Sequence, residues 1–428
     1  MADTPQRPSA RLSPSLLVWG PGATPTDKLT LTIASGIVVG YAGFLLLSFR
    51  LHLWILDAAG HPQVNDFVVF WVASHLALKG AALAAYDAHR EHAAELATIG
   101  HPFHQLLGWA YPPLFLLVVM LPARLPYVAA FIAWGTVTLA MHAASVGAIT
   151  GRRAAVLVAC AMPWVLIEFI LGQNGFLISA VIGMVLVTLE KRPILSGILL
   201  GFLSCKPQFG ILFPLALAAG GYWRAFAAAA LATLAWNGLA GVIFGPQSFM
   251  AFVHALSTAA DSHLVRSDLG WNKLQSVYGL LRDVGASAGL AWSAQGVLVL
   301  VLALGIAVTW HRRDVPFALK AALLATATPL ATPYVLYYDV PVLAIAGAFL
   351  FRHRGFDRFE RVLMAATVPF LFLPFLPFLL VVPGALVASL VMATMVVRRL
   401  RALPRATVSV ARTSPMENAG ADCPLPVV

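Results

Sequence analysis

The sequence predicts an all-α, polytopic transmembrane helical bundle, and three observations carry that expectation. Of 428 residues, 60% are hydrophobic and only 11% are charged, against about 25% charged in an ordinary soluble domain. The mean hydropathy of +0.83 implies more apolar surface than a soluble core can hide, so lipid is the fitting solvent. The apolar residues form continuous runs rather than alternating with polar ones, which argues against a transmembrane barrel.

Residues 1–27 are rich in Pro, Ser and Thr and predict a disordered N-terminal tail. The membrane-embedded part is expected over 28–400. Its first run, 29–50, is long and lacks a small-residue cleavage site, so it reads as an anchor rather than a removed signal peptide. A polar loop follows over 51–125. Within it, YPPLFLLVVMLPA (111–123) is bracketed by prolines and short for a crossing, and reads as re-entrant or surface-lying. Further apolar runs occupy 126–149, 154–170, 174–190, 193–205, 207–220, 225–244, 288–310, 315–331, 339–352, 360–378 and 380–397, with a second polar loop over 245–287 and a polar, Pro-rich tail over 401–428. At roughly 20 residues per crossing, with some runs shorter, the expectation is about 12 spans.

The formal net charge is +10, but the cations sit in short clusters between apolar runs. These are Arg152–Arg153, Lys191–Arg192, Arg224, Arg312–Arg313, the group from Arg352 to Arg361, and Arg398–Arg399 with Arg401. That is the positive-inside pattern rather than a nucleic-acid footprint, so no nucleic-acid partner is expected. With every cluster in the cytoplasm, both termini are cytoplasmic. The 51–125 and 245–287 loops, GQNG (172–175) and TPYVLYYD (332–339) then share the outer face. Cys160, Cys205 and Cys423 show neither disulfide nor metal spacing, and the scattered histidines form no metal motif. No internal repeat is found.

The polar residues left in this apolar chain are the candidates for chemistry. Asp66 opens DFVVFW; Asn65 or Asp66 reads as the N-cap of an amphipathic surface helix over 66–79, and Asp66 also reads as a general base at the lipid–water boundary, the two readings coexisting. Tyr86 and Asp87 in LAAYD read as a loop turn or as sugar-hydroxyl contacts. Tyr111 precedes two prolines that shape the backbone, with a substrate contact as a secondary role. Gln173 and Asn174 offer amides at a helix-hairpin turn. Lys206 lies between short apolar runs; from the cytoplasm a 13-residue run rises about 20 Å, which leaves the ammonium below the outer surface. It either snorkels or supplies a fixed charge for a lipid phosphate. Trp271, Asn272, Tyr334, Tyr337 and Tyr338 read as interfacial anchors or sugar contacts. Asp339, an acid opening a span, wants a partner.

Taken in order, NDFVVFW, LAAYD, YPPLF, LGQNGFL, SGILLGFLSCKPQFG and TPYVLYYD resemble glycosyltransferase family 87, over about 30–350. The resemblance implies a GT-C fold in a bacterial plasma membrane, with the active site extracytoplasmic. It implies a polyprenyl-phosphate-linked, mannose-like sugar as donor, an envelope glycolipid or polysaccharide as acceptor, and no cofactor. By position it makes Asp66 the catalytic base and puts the family's Lys-Pro motif at Lys206–Pro207. The residues themselves offer Lys206, with Gln173 and Asn174, to the donor phosphate. Many mannosyltransferase members carry histidines after the late Ser/Thr-Pro motif, where this chain has Tyr337, Tyr338 and Asp339. The rival classes are a secondary transporter or flippase, which usually shows repeat symmetry and midplane polar groups, and a structural subunit, which leaves Asp66, Lys206 and Asp339 without purpose.

Overall fold

A computed structural model describes residues 25–103, 108–266, 268, 270–372 and 383–404. Among the described residues the chain is helical, with isolated bridges over 54–62 in place of any strand. The order is α1 (Pro25–Arg50), α2 (Asp66–Leu78), α3 (Ala88–Ile99), α4 (Pro113–Val119), α5 (Tyr127–Thr150), α6 (Arg153–Cys160), α7 (Pro163–Leu171), α8 (Gly175–Thr188) and α9 (Pro193–Phe202). It continues with α10 (Phe213–Gly220), α11 (Trp223–Phe244), α12 (Gln247–Ala260), α13 (Val277–Asp283), α14 (Ala288–His311), α15 (Phe317–Leu330), α16 (Val342–His353), α17 (Arg358–Leu371) and α18 (Gly384–Arg401). The expected tails lie mainly outside the described residues, as do the end of the 360–378 run and the start of the 380–397 run.

Among the described residues, four helices, α1, α5, α11 and α14, are long and apolar enough to cross a bilayer; α6 and α7, bent by 60° at the break before Pro163, make a fifth if they form one span. Their outer faces carry large apolar side chains, with Val242 84% and Leu234 71% exposed, a surface suited to lipid and costly in water. Among the described residues, helix length alone does not confirm the twelve crossings expected. The remaining apolar runs form shorter helices, so any further crossing is made by broken or tilted elements. The segment over 111–123 forms only the short, buried α4, consistent with a segment that does not cross.

Backbone proximity between α9 and α11 is set by glycine. A Cβ on Gly197 would lie 2.5 Å from the Ala225 carbonyl oxygen, and one on Gly201 would lie 2.6 Å from Ala232 Cβ. Gly197 and Gly201 are four apart on one helical face, the small-residue spacing that lets membrane helices close on one another. Replacing Gly201 by Leu is expected to force the pair apart and destabilise by about 1–3 kcal/mol or more, visible as a lower Tm in detergent. An unchanged Tm would show that α9 and α11 do not depend on this contact.

The structure changes the reading of three polar regions. First, α2 is not an amphipathic surface helix: Phe67, Val68, Val69, Phe70, Val72, Ala73 and Ala77 are all buried, covering most of its circumference. Phe70 alone packs edge-on against Trp109, Tyr111, Phe115 and Trp134. The apolar run was long enough to be buried all round, and no polar stripe remained to face water. Second, the 245–287 loop is largely helical, built from α12, a turn over Asp261–Arg266 and α13. Third, Arg399 is not a solvated member of its basic cluster. It is 1% exposed, grips Glu360 through two N–H···O contacts of 2.7 and 2.6 Å, and also donates to the carbonyls of Leu350, Arg354 and Gly355. This clamp ties the ends of α16, α17 and α18 together.

Candidate active site

The N-terminus of α2 presents Asp66. Asn65, not Asp66, caps the helix: its Oδ1 accepts from the Val68 N–H at 3.2 Å and from the Tyr127 hydroxyl at 3.3 Å. Asp66, at the first helical position, is thus free of capping, while the helix dipole favours a carboxylate there. Its Oδ2 accepts from the Gln173 side-chain amide at 3.0 Å, and Oδ1 has no hydrogen-bond partner among the described residues. Burial pushes its carboxyl above the usual range, opposed by the Gln173 hydrogen bond and the positive charge of Lys273.

The turn between α7 and α8 carries the next groups, and both of its glycines are needed. Gly172 ends α7 at φ +68°, a left-handed conformation that only glycine adopts at no steric cost. Gly175 meets the chain around Asp339, since a Cβ there would stand 1.8 Å from the Tyr338 carbonyl oxygen. Between them, Gln173 and Asn174 are buried at 7% and 1% exposure. Trp134 Nε1–H donates to the Gln173 carbonyl at 2.9 Å, and the Tyr111 hydroxyl donates to Gln173 Oε1 at 3.2 Å. Replacing Gly175 by Ala is expected to displace the 337–339 turn and cut activity by about tenfold or more. Wild-type kinetics in that variant would show that the close approach has no bearing on catalysis.

Lys206 sits between two single 3-10 turns, Leu203–Cys205 and Pro207–Phe209. The proline that follows keeps it out of the helical region, at φ −140° and ψ 71°. Its ammonium is buried, donates to Asn174 Oδ1 at 2.9 Å, forms an ion pair with Asp339, and lies over the rings of Phe209 and Tyr338. The sequence offered a snorkelling lysine or a fixed charge for a lipid phosphate; the structure pairs Lys206 with Asp339, the partner that acid wanted. Asp339 Oδ2 also accepts from the Leu336 N–H at 3.0 Å.

Asp66, Tyr111, Gln173, Asn174, Lys206, Tyr338 and Asp339 therefore form one connected polar network inside an apolar bundle. Tyr334 adjoins it, within electrostatic reach of Asp66 and Asp339. Tyr86 stands one layer behind, its hydroxyl donating to the Tyr111 carbonyl at 3.1 Å. Trp271 and Asn272 lie in the single turn Trp271–Lys273, where the Arg282 guanidinium stacks over Trp271 at 4.1 Å.

Two candidates fall away from the network. Asp87 is exposed and caps α3, accepting from the His89 and Arg90 N–H groups at 3.1 Å, which is the loop-turn role rather than a sugar contact. Tyr337 is directed into a separate cluster with Trp164 and Leu371, where its hydroxyl donates to the Leu371 carbonyl.

Three groups were passed over in the sequence. Glu168 lies buried in α7 and accepts from the Phe176 N–H at 3.2 Å, with Oε2 unpartnered among the described residues. A lone acid in PWVLIEFIL was the available signal. Lys273 acts electrostatically on Asp66, and His263 stacks on Tyr334; nothing in their sequence surroundings marks either. Beside the Lys206–Pro207 break, an apolar cleft of about 290 Å³ runs between α9, α10 and α11, lined by residues that include Leu200, Leu203, Pro207, Ile211, Leu217 and Phe226.

Residues 109–333 match the family model of glycosyltransferase family 87, just over half of the chain. Neither a curated protein nor a solved structure matches it.

Proposed function

Because the chain belongs to glycosyltransferase family 87, and so is a membrane glycosyltransferase, we propose that it moves a mannose-like sugar from a polyprenyl-phosphate donor to an envelope glycolipid or polysaccharide. Asp66 is the base. As the acceptor hydroxyl oxygen attacks the anomeric carbon, its proton passes to Asp66 Oδ1; the new glycosidic C–O bond forms, and the bond from the anomeric carbon to the phosphate oxygen breaks. The bonding pair leaves on polyprenyl phosphate from the opposite face, so configuration inverts. One carboxylate suffices because phosphate is a good leaving group, unlike the alkoxide that requires paired acids in glycoside hydrolysis. No cofactor takes part beyond the lipid-linked donor.

The observation that carries this reading is the bridge through Gln173 and Asn174, one amide on Asp66 and the next on Lys206. It links the proposed base to the cation through two neighbouring side chains. An ammonium has three donors; Asn174 and Asp339 take two, and the third is assigned to the departing phosphate, where charge stabilisation is worth most in a site without water. The cleft beside Pro207 suits an isoprenoid tail lying in the bilayer. Sorting of the basic clusters supports cytoplasmic termini and an outward-facing site, and the family resemblance supports a bacterial plasma membrane.

The test is purified protein in proteoliposomes, given polyprenyl-phosphate-[14C]mannose and a glycolipid extract. Label is expected in glycolipid. Label that remains on intact donor but changes leaflet would establish a flippase instead.

A further inference from the structure

The network around Asp66 uses residues from α2, the α7–α8 turn and the 332–339 segment, but leaves one wall of the site without an assigned role. That wall is built from residues 261–266 and 270–276. It is stitched to the site by the Gln275 N–H, which donates to the Val335 carbonyl at 2.8 Å, and by the Ser276 hydroxyl, which donates to the Pro333 carbonyl at 2.7 Å. These bonds bracket Tyr334. The His263 ring lies nearly parallel to the Tyr334 ring, centroids 5.5 Å apart and planes at 21°. Trp271 and Tyr334 pack on the same small core of Leu264, Leu274, Tyr278 and Ala291.

Two polar atoms on this wall are buried with no hydrogen-bond partner among the described residues: His263 Nδ1 and Trp271 Nε1. Orphaned buried groups cost roughly 1–3 kcal/mol each, and a folded protein retains them where a ligand supplies the partner. We propose that His263 and Trp271, together with Tyr334, recognise a pyranose ring. The Tyr334 ring would back an apolar sugar face, the indole N–H would donate to one ring hydroxyl, and the imidazole nitrogen would exchange a hydrogen bond with another. Burial lowers the tendency of His263 to take up a proton, so the imidazole is neutral near pH 7. A neutral donor–acceptor pair suits a sugar rather than a phosphate. The ring recognised belongs either to the donor's sugar or to the acceptor's. This inference rests on the glycosyl-transfer reading above.

The test uses His263→Phe, which keeps the ring stack and removes the nitrogens, and Trp271→Phe, which removes the N–H. Each is expected to lower kcat/KM by about tenfold, as for a site that hydrogen-bonds its substrate, with Tm unchanged. A rise confined to the donor KM assigns the donor's sugar; a rise confined to the acceptor KM assigns the acceptor's. Both KM values within twofold of wild type in both variants would overturn the proposal. Saturation-transfer NMR with methyl α-mannopyranoside reads the same wall without turnover. Contact is expected in wild type and Asp66→Asn and lost in His263→Phe. No contact in wild type, or equal contact in all three, overturns the sugar wall even if transfer is confirmed. Contact without transfer by wild type leaves the wall standing and removes the transferase reading.

Discussion

Asp66→Asn is expected to reduce transfer by roughly 10²–10⁴-fold while Tm holds near the wild-type value. The amide keeps the size of the carboxyl and can still meet Gln173, but it cannot take a proton from an attacking hydroxyl. Because Asn65 supplies the cap, the substitution leaves the start of α2 intact, and the loss would be chemical rather than structural. The pH dependence follows from burial. The Asp66 carboxyl is held above its ordinary value of 3.8, and only the ionised form is a base, so kcat/KM should rise with pH through a midpoint above that value. For stability the sign is opposite. A carboxyl whose folded-state pKa is raised binds more protons folded than unfolded; its contribution is fully present below the unfolded value and is lost as pH rises through the folded one. An acid limb at or below about pH 4, the ordinary range, would contradict the buried base.

The second large effect concerns the Lys206–Asp339 pair. Asp339→Ala should destabilise by about 3–5 kcal/mol, because it strands a buried ammonium whose remaining partners are Asn174 and two aromatic faces. Replacing both members, Lys206→Met with Asp339→Leu, removes the two charges together and should restore most of the stability. Activity should not return, since the cation assigned to the phosphate is gone. Thermal unfolding in detergent and the transfer assay separate the two effects. A single Asp339→Ala variant as stable as wild type would show that the pair is not a structural contact. A double variant with full turnover would remove Lys206 from the reaction.

The parts of the site that sequence made legible are those where a polar residue had no other reason to be present. Asp66, Lys206 and Asp339 stood out because charge is rare in this chain, and the structure joins all three to one network. What could not be read was who pairs with whom. Lys206 and Asp339 are 133 residues apart, and only the fold brings them together. Tyr337 and Tyr338 are adjacent in sequence, yet a 3-10 turn sends one to the Leu371 carbonyl and the other over the Lys206 ammonium. Asp87 resembled a site residue by composition but serves α3 as a cap. His263 gave no signal because its stacking partner, Tyr334, belongs to another segment. The helical class followed directly from apolar run length. The number of crossings did not, because α8, α9, α10 and α15 are shorter than a bilayer is thick, and periodicity does not say how a short helix is tilted or continued.

The most direct measurement is a structure of the protein with a non-transferable polyprenyl-phosphonate sugar. The expected result has the phosphonate against Lys206, the sugar between it and Asp66, and Asp66 within about 2.6–3.2 Å of the acceptor oxygen or of a water in its place. A headgroup bound in a space that Asp66 does not reach, or an anion held by cations other than Lys206, would contradict the assignment of these two residues to a single reaction centre.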